Sequence, residues 1–160
     1  MIDDTFKKKA RSMVLRWLGY RQRSLRETRA YMEKKGFYGL IIDQVITELL
    51  EYGYLNDECF AADLIRSYLR RGFGPRRARL ELLSKGIDGA TIERLIAEHF
   101  DSAGDLARAG EILHKRANSS AVIDERWIRR QAAFLARRGF QDSIILKAIR
   151  DYSSAGSDET

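Results

Sequence analysis

Apolar residues recur at intervals of three and four along almost the whole of this 160-residue chain. This spacing places them on one face of a helix, whereas the strict alternation that indicates strands is absent. The first such face comprises Phe6, Ala10, Met13, Val14, Trp17 and Leu18. The pattern therefore predicts an all-α protein, with helices following one another over most of the chain.

Capping residues and glycines mark where the predicted helices begin and end. Ser24 and Glu27 have the spacing of a capping box, in which each side chain accepts a hydrogen bond from the backbone amide of the other residue. Lys35 and Gly36 are typical of a helix end. Pro75 suits the first position of a helix, so Gly74-Pro75 is predicted to begin another one. The last three helices are predicted over residues 106–117, 123–138 and 143–152.

Three cation–glycine–apolar triplets divide the chain into similar parts. Their glycines, Gly36, Gly86 and Gly139, are 50 and 53 residues apart. Apolar residues occur at matching offsets around each glycine: Met32, Leu82 and Leu135 four residues before, Ile42, Ile92 and Ile145 six residues after, and Ile46, Ile96 and Ile149 ten residues after. These offsets predict three tandem three-helix repeats over residues 1–55, 56–101 and 102–152, followed by a flexible polar tail, 153–160. Because a unit of this size buries little surface alone, we expect the repeats to stack into an elongated, curved array.

The charge and composition narrow the class of protein. The chain carries 29 Lys and Arg residues against 23 Asp and Glu residues, a formal net charge of +6. No apolar run is long enough to span a membrane, and no apolar stretch follows the N-terminal lysines as it does in a secretory signal. The single cysteine, Cys59, excludes an intrachain disulfide and is expected to be a small core residue. We therefore expect a cytoplasmic protein with no membrane partner.

Residues with catalytic or metal-binding chemistry are sparse. Neither His99 nor His114 has a second His or Cys at metal-ligand spacing, and no glycine-rich phosphate-binding loop is present. The carboxylate pairs 57–58 and 124–125 stand at predicted helix N-termini, where they complement the helix dipole. The sequence predicts no catalytic residue, no metal and no cofactor, and it favours a non-enzymatic function.

Arginines are concentrated in two runs, 64–80 and 126–140, that contain no acidic residue. Arginine binds phosphate and carboxylate oxygens well, so these runs predict a basic binding face, although a solvated helix face is the alternative. The candidate contacts are Arg66, Arg70, Arg71, Arg76, Arg77, Arg79, Arg126, Arg129 and Arg130, with Arg23 and Arg26 near the N-terminus. The aromatic residues Tyr20, Tyr54, Tyr68, Phe73 and Trp127 can stack on nucleic-acid bases or, as is commoner at helical spacing, belong to the core.

Residues 53–87 carry a long ordered motif that closely resembles the RecX family of RecA regulators. The matching residues are Gly53, Tyr54, Leu55, Asn56, Asp57, Phe60, Ala61, Gly72, Gly74, Pro75, Arg77, Ala78, Lys85, Gly86 and Ile87. The first repeat also fits, through Arg21-Gln22-Arg23-Ser24 and Lys35-Gly36-Phe37, and Arg138-Gly139-Phe140 fits the third more weakly. The resemblance covers about residues 8–152.

This resemblance implies a protein that binds the RecA–DNA nucleoprotein filament and typically inhibits its recombinase, ATPase and co-protease activities, thereby regulating DNA repair and the SOS response. We expect it to be a monomer, although the sequence does not determine the oligomeric state. Weak, salt-sensitive binding to single- and double-stranded DNA is also expected. Within the motif we assign structural roles to Gly53, Tyr54, Leu55, Asp57, Phe60, Gly74, Pro75 and Gly86, with Asp57 expected to cap its own helix. The alternative is a DNA-binding protein of helix-turn-helix type, because three-helix units with basic helices can enter a major groove.

Overall fold

The structure, a computed structural model, describes residues 4–117 and 122–155. Over these residues the chain forms nine α-helices and no strand, as the apolar spacing predicts. In chain order they are α1 (Asp4–Leu18), α2 (Leu25–Lys34), α3 (Leu40–Glu51), α4 (Asp57–Arg70), α5 (Pro75–Ser84), α6 (Gly89–His99), α7 (Ser102–Arg116), α8 (Glu125–Arg137) and α9 (Asp142–Ala155).

Each successive group of three helices encloses its own apolar core. The residues at the matching offsets are the anchors of these cores: Met32, Leu82 and Leu135 are completely buried, and the isoleucines six and ten residues after each glycine are all buried. Burying one side chain of this size stabilises the fold by roughly 1.5–3 kcal/mol. The fold is therefore an all-α, elongated array of three tandem three-helix repeats, as predicted.

The glycine at the end of each middle helix adopts the left-handed conformation that the sequence predicts. The φ angles are 84° at Gly36, 79° at Gly86 and 90° at Gly139. In each turn the amide of the following apolar residue donates a hydrogen bond back to the carbonyl four residues before the glycine, which closes the helix end. These bonds join Phe37 to Met32, Ile87 to Leu82 and Phe140 to Leu135.

The observed boundaries differ from the predicted ones in the third repeat. Helix α7 begins at Ser102 rather than 106, because the Asp101 side chain accepts a hydrogen bond from the amide of Gly104 and caps the helix there. Helix α9 continues to Ala155, so residues 153–155 of the predicted flexible tail are helical. Residues 156–160 of that tail, and 118–121 of the predicted loop before α8, lie outside the described residues.

The joint between the first and second repeats depends on side chains. The Asp57 carboxylate accepts a hydrogen bond from the amide of Leu25, the first residue of α2, over 2.8 Å. Lys85 donates a second bond, of 3.2 Å, to Glu27. The expectation that Asp57 caps its own helix is wrong, because Asn56 caps α4 and Asp57 supplies a cap to a helix of the other repeat.

The joint between the second and third repeats includes direct backbone hydrogen bonds in addition to the ion pair of Arg76 with Asp142. The amide of Gly74 donates to the carbonyl of Arg138 over 2.8 Å, and the amide of Arg76 donates to that of Gly139 over 3.0 Å. A Cβ atom on Gly74 would lie 2.5 Å from the Gly139 oxygen. Gly74 therefore permits a close approach between repeats, in addition to its predicted place before a helix. In both joints the N-terminus of one repeat's middle helix meets the glycine turn of the next repeat.

Candidate functional site

Several of the predicted arginine contacts are engaged in ion pairs. The pairs are Arg66 with Asp63, Arg76 with Asp142, Arg79 with Glu93 and Arg129 with Glu125. The runs lack acidic residues along the sequence, but carboxylates reach them from neighbouring turns and from other helices. Arg79 is bound through two nitrogens, at 2.7 and 3.0 Å, and Glu93 raises the pKa of that guanidinium. These four arginines are therefore less available to a ligand than the sequence suggests.

Arg70 and Arg71, at the C-terminal end of α4, have no carboxylate partner in the part of the chain that the structure describes. Their position complements the negative end of the helix dipole. The Arg71 guanidinium lies over the rings of Tyr68 and Phe73, 5.3 and 4.9 Å from their centroids. Arg77 interacts with the hydroxyl of Tyr68, so its side chain is turned toward its own repeat.

Arg70 and Arg71 line a cleft of about 350 Å³ that lies between α4, α7 and α8, where the second and third repeats meet. We call this the junction cleft. Its charged lining consists of six cations and one carboxylate: Arg70, Arg71, Arg108, Lys115, Arg116, Arg138 and Glu111. Such an excess of like charge in one cleft is unfavourable unless an anion offsets it, which makes the junction cleft the principal candidate for a binding site.

Aromatic rings and backbone carbonyls, rather than carboxylates, hold two of these cations. The Arg116 guanidinium stacks over Phe134, 3.6 Å from the ring centroid, and donates a hydrogen bond to Gln131. Arg138 lies between Phe73 and Phe134 and donates to the carbonyl oxygens of Arg71 and Gly72. Both groups are thus fixed in position while their charge is not neutralised, as an anion site requires.

Arg108 lies at the edge of the cleft and has an incomplete set of partners. It pairs with the buried carboxylate of Asp105, but its Nε atom is buried without a hydrogen-bond acceptor. Burial raises the pKa of Asp105, and Arg108 counteracts this shift. The pair therefore leaves part of the Arg108 guanidinium unsatisfied.

Four cations of the junction cleft escape the sequence-based prediction. Arg108, Lys115 and Arg116 follow one face of α7 but are interleaved with Asp105 and Glu111, so the charge pattern resembles an ordinary solvated helix. Arg138 belongs to the second arginine run and to a predicted helix end, but it is not among the candidate contacts. Lys115 and Arg116 follow Arg108 by seven and eight residues, and this helical spacing indicates that the three cations lie on the same side of α7.

The other predicted arginines lie on different surfaces from the junction cleft. Arg126 and Arg130 line an open groove on α8, together with two acidic residues. Arg23 lies over the ring of Trp17, 4.4 Å from its centroid. Arg26 packs beside Gly86 in the first joint, where a Cβ atom on the glycine would be 2.6 Å from its Cδ atom. The predicted basic face is thus divided among several surfaces.

Most of the aromatic candidates for base stacking are unavailable. Trp127 is 3% exposed and stacks on Tyr152, Tyr68 is buried, and Phe73 is covered by Arg71 and Arg138. Tyr20 and Tyr54, in contrast, are 80% and 60% exposed.

The remaining motif residues have identifiable positions. Leu55 and Phe60 are core residues as expected, Pro75 is the first residue of α5, and Gly53 has a φ of 74°. Tyr54 is exposed, so core packing does not explain it. Cys59, in the first turn of α4, is exposed as well, contrary to the expectation of a core or semi-core residue.

Each histidine makes a contact within its own repeat. The Nδ1 atom of His99 is 2.9 Å from the carbonyl oxygen of Leu95, and His114 contacts the ring of Tyr152 edge-on. Among residues 4–117 and 122–155, no group of three or more His, Cys, Asp or Glu side chains is placed to hold a metal ion. No helix in the described ranges is long and apolar enough to cross a membrane.

Two family models match the chain in the regions of its first and second repeats. The model for the first three-helix domain of RecX matches residues 10–49, and the model for the second matches residues 56–96. A regulatory protein RecX from Legionella pneumophila is 31% identical over 148 residues, which cover 92% of this chain and 97% of the relative. The chain belongs to the RecX family.

Further RecX relatives and a solved RecX structure also match most of this chain. The regulatory protein RecX of Mycolicibacterium smegmatis is 31% identical over 91% of this chain and 80% of its own length. That of Bacillus velezensis is 36% identical over 95% of this chain, but this alignment spans only 58% of the longer relative. The crystal structure of RecX from Lactobacillus salivarius has a TM-score of 0.80 at 22% identity, over 91% of this chain and 95% of that one. That structure supports the fold of three repeats.

Proposed function

We propose that this RecX-family chain is a non-enzymatic regulator that binds the RecA–DNA nucleoprotein filament and inhibits its recombinase, ATPase and co-protease activities. It would act in the cytoplasm as a monomer and so regulate DNA repair and the SOS response. Family membership supports the regulatory role, and the junction cleft supports the nature of the partner.

The observation that carries this proposal is the convergence of six cations and a single carboxylate in the junction cleft. A nucleoprotein filament presents two anionic ligands side by side, the phosphates of DNA and the acidic side chains of protein. Arginine binds both through paired N–H groups. Because α4 and α7 belong to different repeats, a ligand in this cleft would contact two repeats at once.

Charge reversal in the junction cleft tests the proposal. Arg70 and Lys115 are exposed and neither takes part in an ion pair or a hydrogen bond within the described residues. Arg70→Glu/Lys115→Glu therefore breaks no internal contact, and its cost is limited to about 0.3–1 kcal/mol at each helix C-terminus. We expect the concentration that half-inhibits the RecA ATPase to rise about tenfold or more, equivalent to about 1.4 kcal/mol. Circular dichroism should show unchanged helicity.

The matched control is Arg94→Glu/Lys147→Glu, which changes the net charge equally at exposed side chains outside the cleft. It should alter inhibition by no more than about twofold, since exposed pairs contribute little. Equal loss of inhibition in both variants would show that net charge, and not the junction cleft, determines binding to the filament.

Binding to DNA alone should depend on salt. If the cleft contacts phosphates, the logarithm of the association constant falls linearly with the logarithm of the salt concentration, and the slope becomes shallower by about one for each phosphate contact removed. Titration of a labelled oligonucleotide at several salt concentrations, with the parent and with the Arg70→Glu/Lys115→Glu variant, measures both slopes. Identical slopes would place the DNA contacts elsewhere.

The alternative, a helix-turn-helix protein that reads duplex DNA, is less well supported. A recognition helix contacts bases through its N-terminal residues. In α5 this end is bonded to the glycine turn of the third repeat, and in α2 it is bonded by Asp57. Strong sequence preference on duplex DNA in the absence of RecA would favour this alternative nonetheless.

A further inference from the structure

The first repeat contains a second basic surface, separate from the junction cleft, in which cations and aromatic rings are combined. It is an open groove of about 460 Å³ between α1 and α2. The residues that matter here are Lys9, Arg16, Trp17, Tyr20, Tyr31 and Lys35. We call it the α1–α2 groove. No carboxylate lines it.

The cations of α1 fall into two groups according to the side of the helix on which they lie. Lys7 and Arg11 face α3 and share the carboxylate of Glu48, and Lys8 pairs with Asp4 within the helix. The cations on the groove side, Lys9 and Arg16, have no carboxylate partner among the described residues. Lys35, on the α2 wall, also lacks one and lies 5.6 Å from the centroid of the Tyr31 ring. Three positive charges thus border the groove without an internal anion.

Two aromatic rings form a rigid wall of the groove. Trp17 and Tyr31 stack in parallel, with centroids 4.1 Å apart and planes at 3°. Arg23 covers the outer face of Trp17, so this indole is fixed between a cation and a ring. Its faces are therefore occupied, and the wall presents ring edges to the groove.

Tyr20 differs from these two rings because its faces are free. It follows the end of α1 at the mouth of the groove and is 80% exposed. An exposed aromatic ring beside unpaired cations matches the arrangement by which proteins bind single strands, in which bases stack on rings and the backbone follows the positive charge. An acidic peptide would use the cations but not the ring.

We propose that the α1–α2 groove binds single-stranded nucleic acid, with one unstacked base on Tyr20 and the adjoining phosphates on Lys9, Arg16 and Lys35. Duplex DNA cannot use the site in this way, because its bases are already stacked on each other and their faces are inaccessible. Binding to DNA without RecA is already expected of this chain; the new element is a site for it outside the junction cleft, with a base contact that only an unpaired strand can make.

Trp17 provides a reporter for this site. The chain has two tryptophans, and the other, Trp127, is buried in the third repeat, so the Trp127→Phe variant confines indole fluorescence to the groove. Titration with oligothymidylate, without RecA, should quench or shift the Trp17 emission, and the apparent affinity should fall with salt. The anisotropy of labelled oligothymidylate with the unsubstituted chain gives an independent measure, should the Trp127→Phe background fail to fold.

Two variants test the parts of the site separately. Tyr20→Ala removes only an exposed ring and should weaken oligothymidylate binding about tenfold, the typical effect of losing one stacked base. Lys9→Glu/Arg16→Glu should weaken it at least as much and reduce the salt dependence. Tyr38→Ala, in an exposed tyrosine of the same repeat, is the matched control and should leave binding unchanged.

Three results would overturn the proposal: unchanged affinity in Tyr20→Ala, equal changes in Trp17 emission with a duplex of the same length, and equal changes with polyglutamate. Since none of these measurements includes RecA, the groove can fail while the proposed function stands. Conversely, loss of RecA inhibition in the junction-cleft variant with intact oligothymidylate binding at Trp17 would support both sites as separate.

Discussion

Asp57 begins helix α4, yet its carboxylate serves the helix of another repeat by accepting a hydrogen bond from the Leu25 amide. Burial raises the pKa of Asp57, the Leu25 amide opposes this shift, and the charges of Asp88 and Glu27 add to it. An acid whose pKa is raised by folding favours the folded state most when it is neutral. The contribution of Asp57 to stability therefore decreases as the pH rises from the ordinary pKa of 3.8 through the raised one.

Substitution of Asp57 separates the hydrogen bond from the charge. Asp57→Ala removes the acceptor from a helix N-terminus, and we expect the free energy of unfolding at pH 7 to fall by about 1 kcal/mol. Asp57→Asn keeps a side-chain oxygen for the Leu25 amide and removes the buried charge, so its stability at pH 7 should equal or exceed that of the parent. Urea denaturation monitored by circular dichroism measures both changes. Equal destabilisation by Ala and Asn would contradict the role of the hydrogen bond.

The sequence predicts the local features of single residues but not their contacts with other helices. The burial of Met32 and the left-handed Gly86 follow from local patterns, because helical period and helix-end chemistry act over a few residues. The ion pairs of Arg76 with Asp142 and Arg79 with Glu93 join residues of different helices, and no local pattern encodes them. The sequence places Arg138 in an arginine run and at a helix end, but its place in the cleft depends on how two repeats dock.

At the scale of the elements, the same turn has two uses in the chain. The loop of Gly36 is open to solvent on its outer side, whereas that of Gly139 is pressed against the start of α5. A Cβ atom on Gly36 would have nothing within 4 Å, but one on Gly139 would lie 2.3 Å from the Arg77 amide nitrogen. The φ angles are nearly the same, 84° and 90°. A difference between the effects of the same substitution at the two glycines therefore reports the contact between repeats.

Alanine substitution at these two glycines tests the backbone joint. Gly36→Ala carries only the cost of a left-handed alanine, about 1–2 kcal/mol. Gly139→Ala carries this cost and must also separate α5 from the turn, so we expect it to lose about 1–3 kcal/mol more. The Arg76 amide, which is bonded to Gly139, should then exchange its hydrogen faster. If the two substitutions are equally destabilising and the Arg76 amide stays protected, the close approach does not hold the repeats together.

At the scale of the whole molecule, the two joints contain different carboxylates, of which that of Glu27 in the first joint is the more buried. Burial alone would raise the pKa of Glu27, but the Ser24 amide, Arg21 and Lys85 together lower it. An acid whose pKa is lowered by folding stabilises the folded state above its ordinary pKa of 4.5, and this stabilisation is lost as the pH falls through the lowered value. The joint of the second and third repeats contains backbone hydrogen bonds, which do not titrate, and the exposed ion pair of Arg76 with Asp142, which is expected to contribute little.

Mild acid should therefore affect the first joint through Glu27. Between pH 6 and pH 3 we expect the free energy of unfolding of the parent to fall by on the order of 1 kcal/mol as Glu27 becomes protonated. Glu27→Gln lacks this carboxylate, so it should be less stable than the parent at pH 6 and the difference should shrink toward pH 3. Urea midpoints of both proteins, measured across this range, give the difference. Glu93→Gln, in an exposed pair that lies within the second repeat, is the control. A constant gap between the parent and Glu27→Gln at every pH would exclude a role for this carboxylate.

The position of the junction cleft across two repeats has a mechanical consequence. Arg70 and Arg71 belong to one repeat, and Lys115 and Arg116 belong to the next, so any change in the angle between these repeats alters the spacing of the charges. A bound polyanion that holds this spacing must resist bending of the array. By reciprocity, a partner whose surface bends the array toward this charge spacing would increase the affinity of the cleft for the polyanion. If the junction cleft binds the filament as proposed, the curvature of a partner would affect its affinity as well as its charge.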